Sequence, residues 1–282
     1  MFKNMLLIEH KKLFGRAILW IELALIAVGV LAINGLFFFI SRVDESEMAA
    51  QLQQTLIWPD GLTQSVGLAA GPSLGGMLIV VLVGAITAQE YTWRTLQLWL
   101  SRGVPRSTFL AAKFVALLLP ALLLVMVPLL VGGVTTAVFS QILLGHVPVE
   151  AVDWGHLALL TLATAYSLLP YAGLAFLLAV ATRSTIVAVG GGLAYVLLLE
   201  GITVQMLAFA GGALAEVGRY LPAGLAQGLL ALQGGMTVEV DGQMAPAVQY
   251  LDPAWAAVGI ALYSIVFVSL SIVIFRRQDL GG

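Results

Sequence analysis

Glu90 and Arg94 stand four residues apart, acid first, in a stretch from Gln89 to Lys113 that also holds Arg102 and Arg106. On a helix that order and spacing make a favourable ion pair. Gln97 and Ser101 extend the pair into one polar stripe, with Trp93, Leu96 and Leu100 on a neighbouring face and Trp99 beside it. Such a helix does no bond-making chemistry. Lying in the interface plane, it offers its polar face to a soluble partner while its apolar face rests on a membrane domain. Gly103 suits a left-handed end to this helix over Gln89–Ser101, and Pro105 suits the first turn of the next one. An ordinary basic loop on the inner side of a membrane is the alternative reading of the same arginines.

Other chemistry is sparse. No G-x-x-x-x-G-K-[ST] occurs, and Lys3, Lys11, Lys12 and Lys113 lie outside any phosphate-loop context. Hydrolysis of ATP by that route needs a separate polypeptide. The absence of cysteine excludes disulfides and thiolate ligands or nucleophiles. His10, His146 and His156 are scattered and H-E-x-x-H is absent, so no metal site is expected. No catalytic residue is legible, and no nucleic-acid partner is expected. The ionisable residues inside apolar stretches are Glu22, Glu200 and Arg219. Glu22 lies about 9 Å along its helix from Arg16, and reaching back to the interface is the first expectation for it. Glu200, roughly 24 Å along its span from Ser184, is expected to pair with Arg219; contact with a transported substrate is the alternative.

These residues must be positioned by helices in a bilayer. The chain of 282 residues is 60% hydrophobic and only 10% charged, with a mean hydropathy of +1.01. Apolar runs of about 20 residues recur, each long enough to span the hydrocarbon core. The expected fold is an all-α polytopic membrane protein forming a single domain over 1–282, with spans at about 17–41, 66–88, 109–139, 157–181, 185–209 and 254–275. Pro120 and Pro128 suggest kinks in the third span. Lys3, Lys11, Lys12, Arg16, Arg94, Arg102, Arg106, Lys113, Arg183, Arg276 and Arg277 fall on one side, against Arg42 and Arg219 on the other. That asymmetry predicts cytoplasmic termini at the inner membrane face, and the tryptophans fall near the span ends.

The intervening segments carry further expectations. The segment 42–65 reads as a surface helix broken at Trp58-Pro59-Asp60-Gly61. The stretch 210–253 begins as two short helices dipping into the outer leaflet and returning, followed by a small hairpin around Asp241-Gly242. Gly67, Gly71 and Gly75 recur every four residues, as a packing face on the second span would require. Gly190-Gly191-Gly192 suggests the same in the fifth. No internal repeat is visible, which argues against an inverted-repeat secondary transporter.

The Gln89–Lys113 stretch resembles the loop between the second and third helices of ABC-2 type exporter permeases. Glu90, Thr95, Leu96, "SRGVPR" (101–106), Leu110 and Lys113 carry the resemblance, together with "IEHKKLF" (8–14) and the span layout. Arg94 departs from it where glycine is usual, as does the placing of Gly103 and Pro105. The resemblance implies that this loop is a coupling helix docked on a cytoplasmic ABC ATPase subunit, with Glu90, Trp93, Arg94, Gln97, Arg102 and Arg106 at the contact. It implies a permease without enzymatic activity or cofactor of its own, ATP and Mg being bound by the partner. It also implies a homodimer, or a heterodimer with a related permease, embedded in membrane lipid. The alternative is a polytopic protein without ATP coupling: a secondary transporter, channel, sensor or scaffold.

Overall fold

The computed structural model describes residues 2–43, 46–93, 96, 103–202, 212–231, 239–240, 243–244 and 250–278. Among the described residues five helical segments are long and apolar enough to cross a membrane: Ala17–Val43, Leu74–Thr92, Arg106–Leu144, Trp154–Thr182 and Pro253–Arg277. A shorter apolar helix covers Thr185–Glu200. Their outward faces carry Trp20, Leu25, Val28, Leu130, Val134, Leu262 and Ile265, all exposed. A continuous apolar exterior of this kind suits lipid, so the chain is a membrane-embedded helical protein.

Helix α1 (Phe2–Phe14) leads into α2 (Ala17–Val43). Two short helices follow, α3 (Glu47–Gln54) and α4 (Asp60–Gly67), separated at the expected Trp58–Gly61 break. Helix α5 (Leu74–Thr92) then runs back. The predicted second span began at residue 66, but residues 68–73 form a chain of turns instead, with the Ser73 N–H donating to the Ala70 carbonyl at 3.0 Å. Pro72 cannot supply a helical N–H, and α5 starts only beyond it. The three glycines therefore share no helix face. Gly67 ends α4, Gly71 lies in the turn, and Gly75 opens α5. Gly71 is buried where a Cβ would run into the Tyr171 ring and the Ser167 carbonyl. Its N–H donates to Ser167 Oγ at 3.0 Å.

Prolines also divide the next two spans. Helices α6 (Arg106–Ala116) and α7 (Leu118–Leu144) meet at Leu117. Pro120 leaves the Ala116 carbonyl without its usual donor, and the break falls there. Pro128 is accommodated inside α7. In the same way α8 (Trp154–Ser167) and α9 (Leu169–Thr182) meet at Leu168, two residues before Pro170. Arg183, at φ 55°, closes α9 in a left-handed turn. Ser184 then caps α10 (Thr185–Ala194), its Oγ accepting from the Val187 N–H at 3.4 Å. A wider π-helical turn continues α10 from Tyr195 to Glu200.

Helices α11 (Gly212–Tyr220) and α12 (Pro222–Leu230) form the short hairpin expected before the last span, α13 (Pro253–Arg277). Strands β1 (Glu239–Val240) and β2 (Gln243–Met244) pair antiparallel around positions 241–242. Helix α9 packs on α5 and α13, α10 on α5 and α9, and α2 on α7. Helix α4 is laid into α7, where Trp58 Nε1 donates to the Gly133 carbonyl at 3.2 Å and Thr136 Oγ1 at 3.0 Å. Tyr171, Phe176, Phe109 and Phe275 are the largest side chains buried in the core.

Replacing Gly71 with Ala forces a methyl into Tyr171 and should cost about 1–3 kcal/mol. Gly35→Ala, where nothing lies within 4 Å, should leave stability unchanged. Thermal unfolding in detergent compares the two.

Candidate functional site

The bundle has a basic end, where α1, the end of α5, the start of α6 and the end of α13 meet. The buried stripe of α1 is Met5, Glu9 and Leu13. Glu9 thus occupies the middle of an apolar face at four-residue spacing, packed toward α6. There it meets a quartet of charges. Lys12 Nζ lies 2.7 Å from Glu9 Oε1 and 3.3 Å from Glu90 Oε1. Lys113 Nζ lies 3.3 Å from Glu9 Oε2 and 2.8 Å from Glu90 Oε1. Glu9, Glu90 and Lys113 are only 4%, 1% and 3% exposed.

Two acids and two bases alternate, so the group carries no net charge and every ion touches two of opposite sign. That arrangement offsets a desolvation cost which a single buried charge could not meet. Arg16 adds a further tie, its Nη1 donating to the Ile86 carbonyl at 3.3 Å and to Gln89 Oε1 at 3.0 Å. Its guanidinium lies 5.2 Å over the Trp93 ring, a cation–π contact.

These contacts show where the described ones among the predicted site residues lie. Glu90 was expected on a partner-facing stripe, but it is buried because Lys12 and Lys113 approach it from two other helices. Trp93 is 59% exposed and closes α5, its N–H donating to the Gln89 carbonyl at 2.9 Å. Arg106 was expected to face a partner. Instead its Nη1 donates to the carbonyls of Phe275, Arg276 and Gln278 at 3.3, 3.0 and 2.8 Å. It ties the start of α6 to the end of the last helix, where a cation complements the helix dipole. Gln278 is held in turn, its Nε2 donating to the Val180 carbonyl at 2.7 Å and its Oε1 accepting from Tyr91 at 3.3 Å. Gly103 adopts φ 74°, the left-handed turn expected of it, and Leu96 is buried. Arg94, Gln97 and Arg102 lie outside the described residues.

A second constellation lies within the bundle. Tyr171 Oη donates to Glu200 Oε2 at 2.6 Å, and Tyr195 Oη donates to Glu200 Oε1 at 2.8 Å. The Ala223 N–H, in the first turn of α12, donates to the same Oε1 at 3.3 Å. The Glu200 carboxyl thereby caps a helix N-terminus inside the protein, where the first N–H groups otherwise lack acceptors. The expected Glu200–Arg219 ion pair is not formed. The carboxyl oxygens are taken by three closer donors, and no ion pair or hydrogen bond of Arg219 occurs among the described residues. Arg219 Nε is buried without an acceptor.

Glu22 lies on the buried stripe Leu19, Glu22, Ile26, Val30 and Asn34 of α2, and neither of its oxygens has a hydrogen-bond partner among the described residues. Glu9, Lys12 and the two tyrosines were not identified as site residues from sequence. Only Glu9 left a trace there, as an acid flanked by Met5 and Leu13 at four-residue intervals.

Among the described residues no group of three or more His, Cys, Asp or Glu side chains is placed to hold a metal. A sequence profile of the family described as "Protein of unknown function (DUF2705)" matches residues 73–281. "Uncharacterized protein YhcI" of Bacillus subtilis (strain 168) is 28% identical over 221 residues, which is 74% of this chain. The chain spans 66% of that relative's length.

Lys113→Met removes one counter-charge from both Glu9 and Glu90 and should destabilise the protein by about 3–5 kcal/mol. Combining it with Glu90→Gln restores neutrality, so the double variant should lose at least about 1 kcal/mol less than the sum of the single losses. A double-mutant cycle of thermal unfolding measures this. Exchanging the charges of Glu200 and Arg219 should fail to rescue Glu200→Arg, whereas Tyr171→Phe alone should destabilise by about 1–3 kcal/mol. The same unfolding assay separates these outcomes.

Proposed function

The chain belongs to the DUF2705 family of proteins of unknown function, and within it we propose that this protein is the membrane-spanning permease subunit of an ATP-driven ABC exporter. In this reading the helix Thr185–Glu200 is the core of a further span over 185–209, and both termini lie in the cytoplasm. The segment between α5 and α6 is the coupling helix. A separate ABC ATPase subunit binds ATP and Mg, and two copies of the chain, or one with a related permease, form the membrane part.

The observation that carries this reading is the charged quartet. Glu90 and Lys113 flank the segment 93–105, and Glu9 and Lys12 bind both of them to α1. A push on the segment therefore cannot be absorbed by its own flanks. It passes to α1, α5 and α6, and through Arg106 to the end of α13. A plain connecting loop needs no such anchoring, since loops run over surfaces and tolerate motion. Glu90 is then part of the mount rather than of the contact surface. Trp93 stands exposed beside it, and Arg94, Gln97 and Arg102 complete the proposed contact.

The hairpin α11–α12 fits the same reading as a movable element. Its attachment to Glu200, at the start of α12, is the Ala223 N–H hydrogen bond, which rocking of the bundle can exchange. Opening there would give an outward path between two permease subunits.

Purified with a phosphate-loop ATPase encoded beside it, the chain should form a stable complex and raise ATP hydrolysis. Trp93→Ala should lower that stimulation at least fivefold while costing the chain alone no more than about 1 kcal/mol of stability, the worth of an exposed contact with Arg16. A well-folded chain that neither binds such an ATPase nor alters its turnover would sink the reading.

A further inference from the structure

Among the described residues Arg219 has no ion-pair or hydrogen-bond partner, and its Nε is buried. It sits near the C-terminal end of α11, and a Cβ on Gly224 would approach its Cα to 2.8 Å. Helix α12 runs against α13, where a Cβ on Gly259 would meet Leu225 Cδ1 at 2.7 Å. Gly259 is six residues into α13, about 9 Å along the helix from Pro253. Arg219 is thus placed at the depth of the apolar part of α13. Its nearest obvious counter-ion, Glu200, is committed to Tyr171, Tyr195 and the Ala223 N–H. The Arg219 Nε has no acceptor among the described residues, and an anion from outside the chain would supply one.

A groove opens beside it. Tyr220, the next residue, lines a cavity of about 620 Å³ together with Leu225, Leu251, Trp255, Val258 and Leu262. Its walls are mostly apolar, and Tyr220, Trp255, Val258 and Leu262 are exposed on its rim. A volume of this size accommodates a small-molecule ligand. An apolar slot beside a cation that has no described partner is complementary to a molecule with a hydrocarbon tail and an anionic head.

We propose that α11, α12 and α13 form a binding site for an anionic phospholipid, with an acyl chain in the groove and the headgroup phosphate on Arg219. A planar guanidinium presents paired donors that match phosphate oxygens. Bound this way, the lipid supplies the acceptor that Glu200 does not, and it covers Trp255 and Leu262. As cargo, this occupant rests on the exporter reading; as a ligand it does not.

The test is lipid retention by the purified chain without any ATPase. The protein is incubated with mixed micelles containing phosphatidylglycerol or phosphatidylcholine, and bound lipid is counted by native mass spectrometry. The wild type should retain phosphatidylglycerol about tenfold over phosphatidylcholine. Arg219→Gln should abolish that preference and Arg219→Lys should keep most of it. Val258→Trp and Leu262→Trp, which fill the groove from its exposed rim, should reduce retention of both lipids at least fivefold. Equal preference in the wild type and Arg219→Gln overturns the proposal, as does full retention by both tryptophan variants. If those variants instead convert a dimer to monomers with lipid retention unchanged, the groove is an interface between copies and the lipid site is rejected. Binding with these properties and no ATPase stimulation would uphold the lipid site while rejecting the exporter reading.

Discussion

A charged side chain inside an apolar bundle has to find its partners within the protein, and the quartet of Glu9, Lys12, Glu90 and Lys113 meets that requirement as a ring. No single pair in it would suffice, because desolvating an isolated ion pair can cost more than the pair returns. Alternation of sign gives each ion two neighbours and cancels the net charge. The consequence is mechanical. Three helices from distant parts of the chain are fixed in one register, and α1 becomes part of the bundle rather than an arm attached to it. Arg106 and Gln278 extend the same network to α9 and α13.

Glu200 meets the same requirement with neutral partners. Two tyrosine hydroxyls and a backbone N–H share its carboxyl, so a short helix can start inside the bundle instead of at its surface. The two charged sites therefore differ in kind. The quartet is a lock between long helices. The Glu200 site holds a short hairpin whose α12 also packs through apolar side chains against α13 and α8. An element held by few polar bonds and one greasy face is the part of such a structure that can move at least cost.

Backbone geometry works alongside charge. Pro72, Pro120 and Pro170 each coincide with a helix boundary, because none can donate the N–H that would continue the ladder. At Gly71 the turn passes directly against Tyr171, and Tyr171 is also a donor to Glu200. The break before α5 and the polar site in the bundle are consequently built on one side chain.

The sequence by itself determined the class of the molecule: apolar runs of spanning length, one basic end, a left-handed turn at Gly103, a break near Trp58, and a short helical hairpin before the last span. These follow from local properties, namely hydropathy, glycine and proline conformations, and charge counts. Tertiary structure decided the partners. Glu90 has Arg94 as its obvious neighbour in sequence, yet the described contacts bring it Lys12 and Lys113 from 78 and 23 positions away. Glu200 and Arg219 look like a pair because they are the nearby opposite charges, but Tyr171, invisible as a site residue, lies closer in space. Similarly, no local pattern shows that Glu22 is buried, which the packing of α2 decides. In each case the deciding quantity is which helix face meets which, and that depends on packing between segments that no local pattern records.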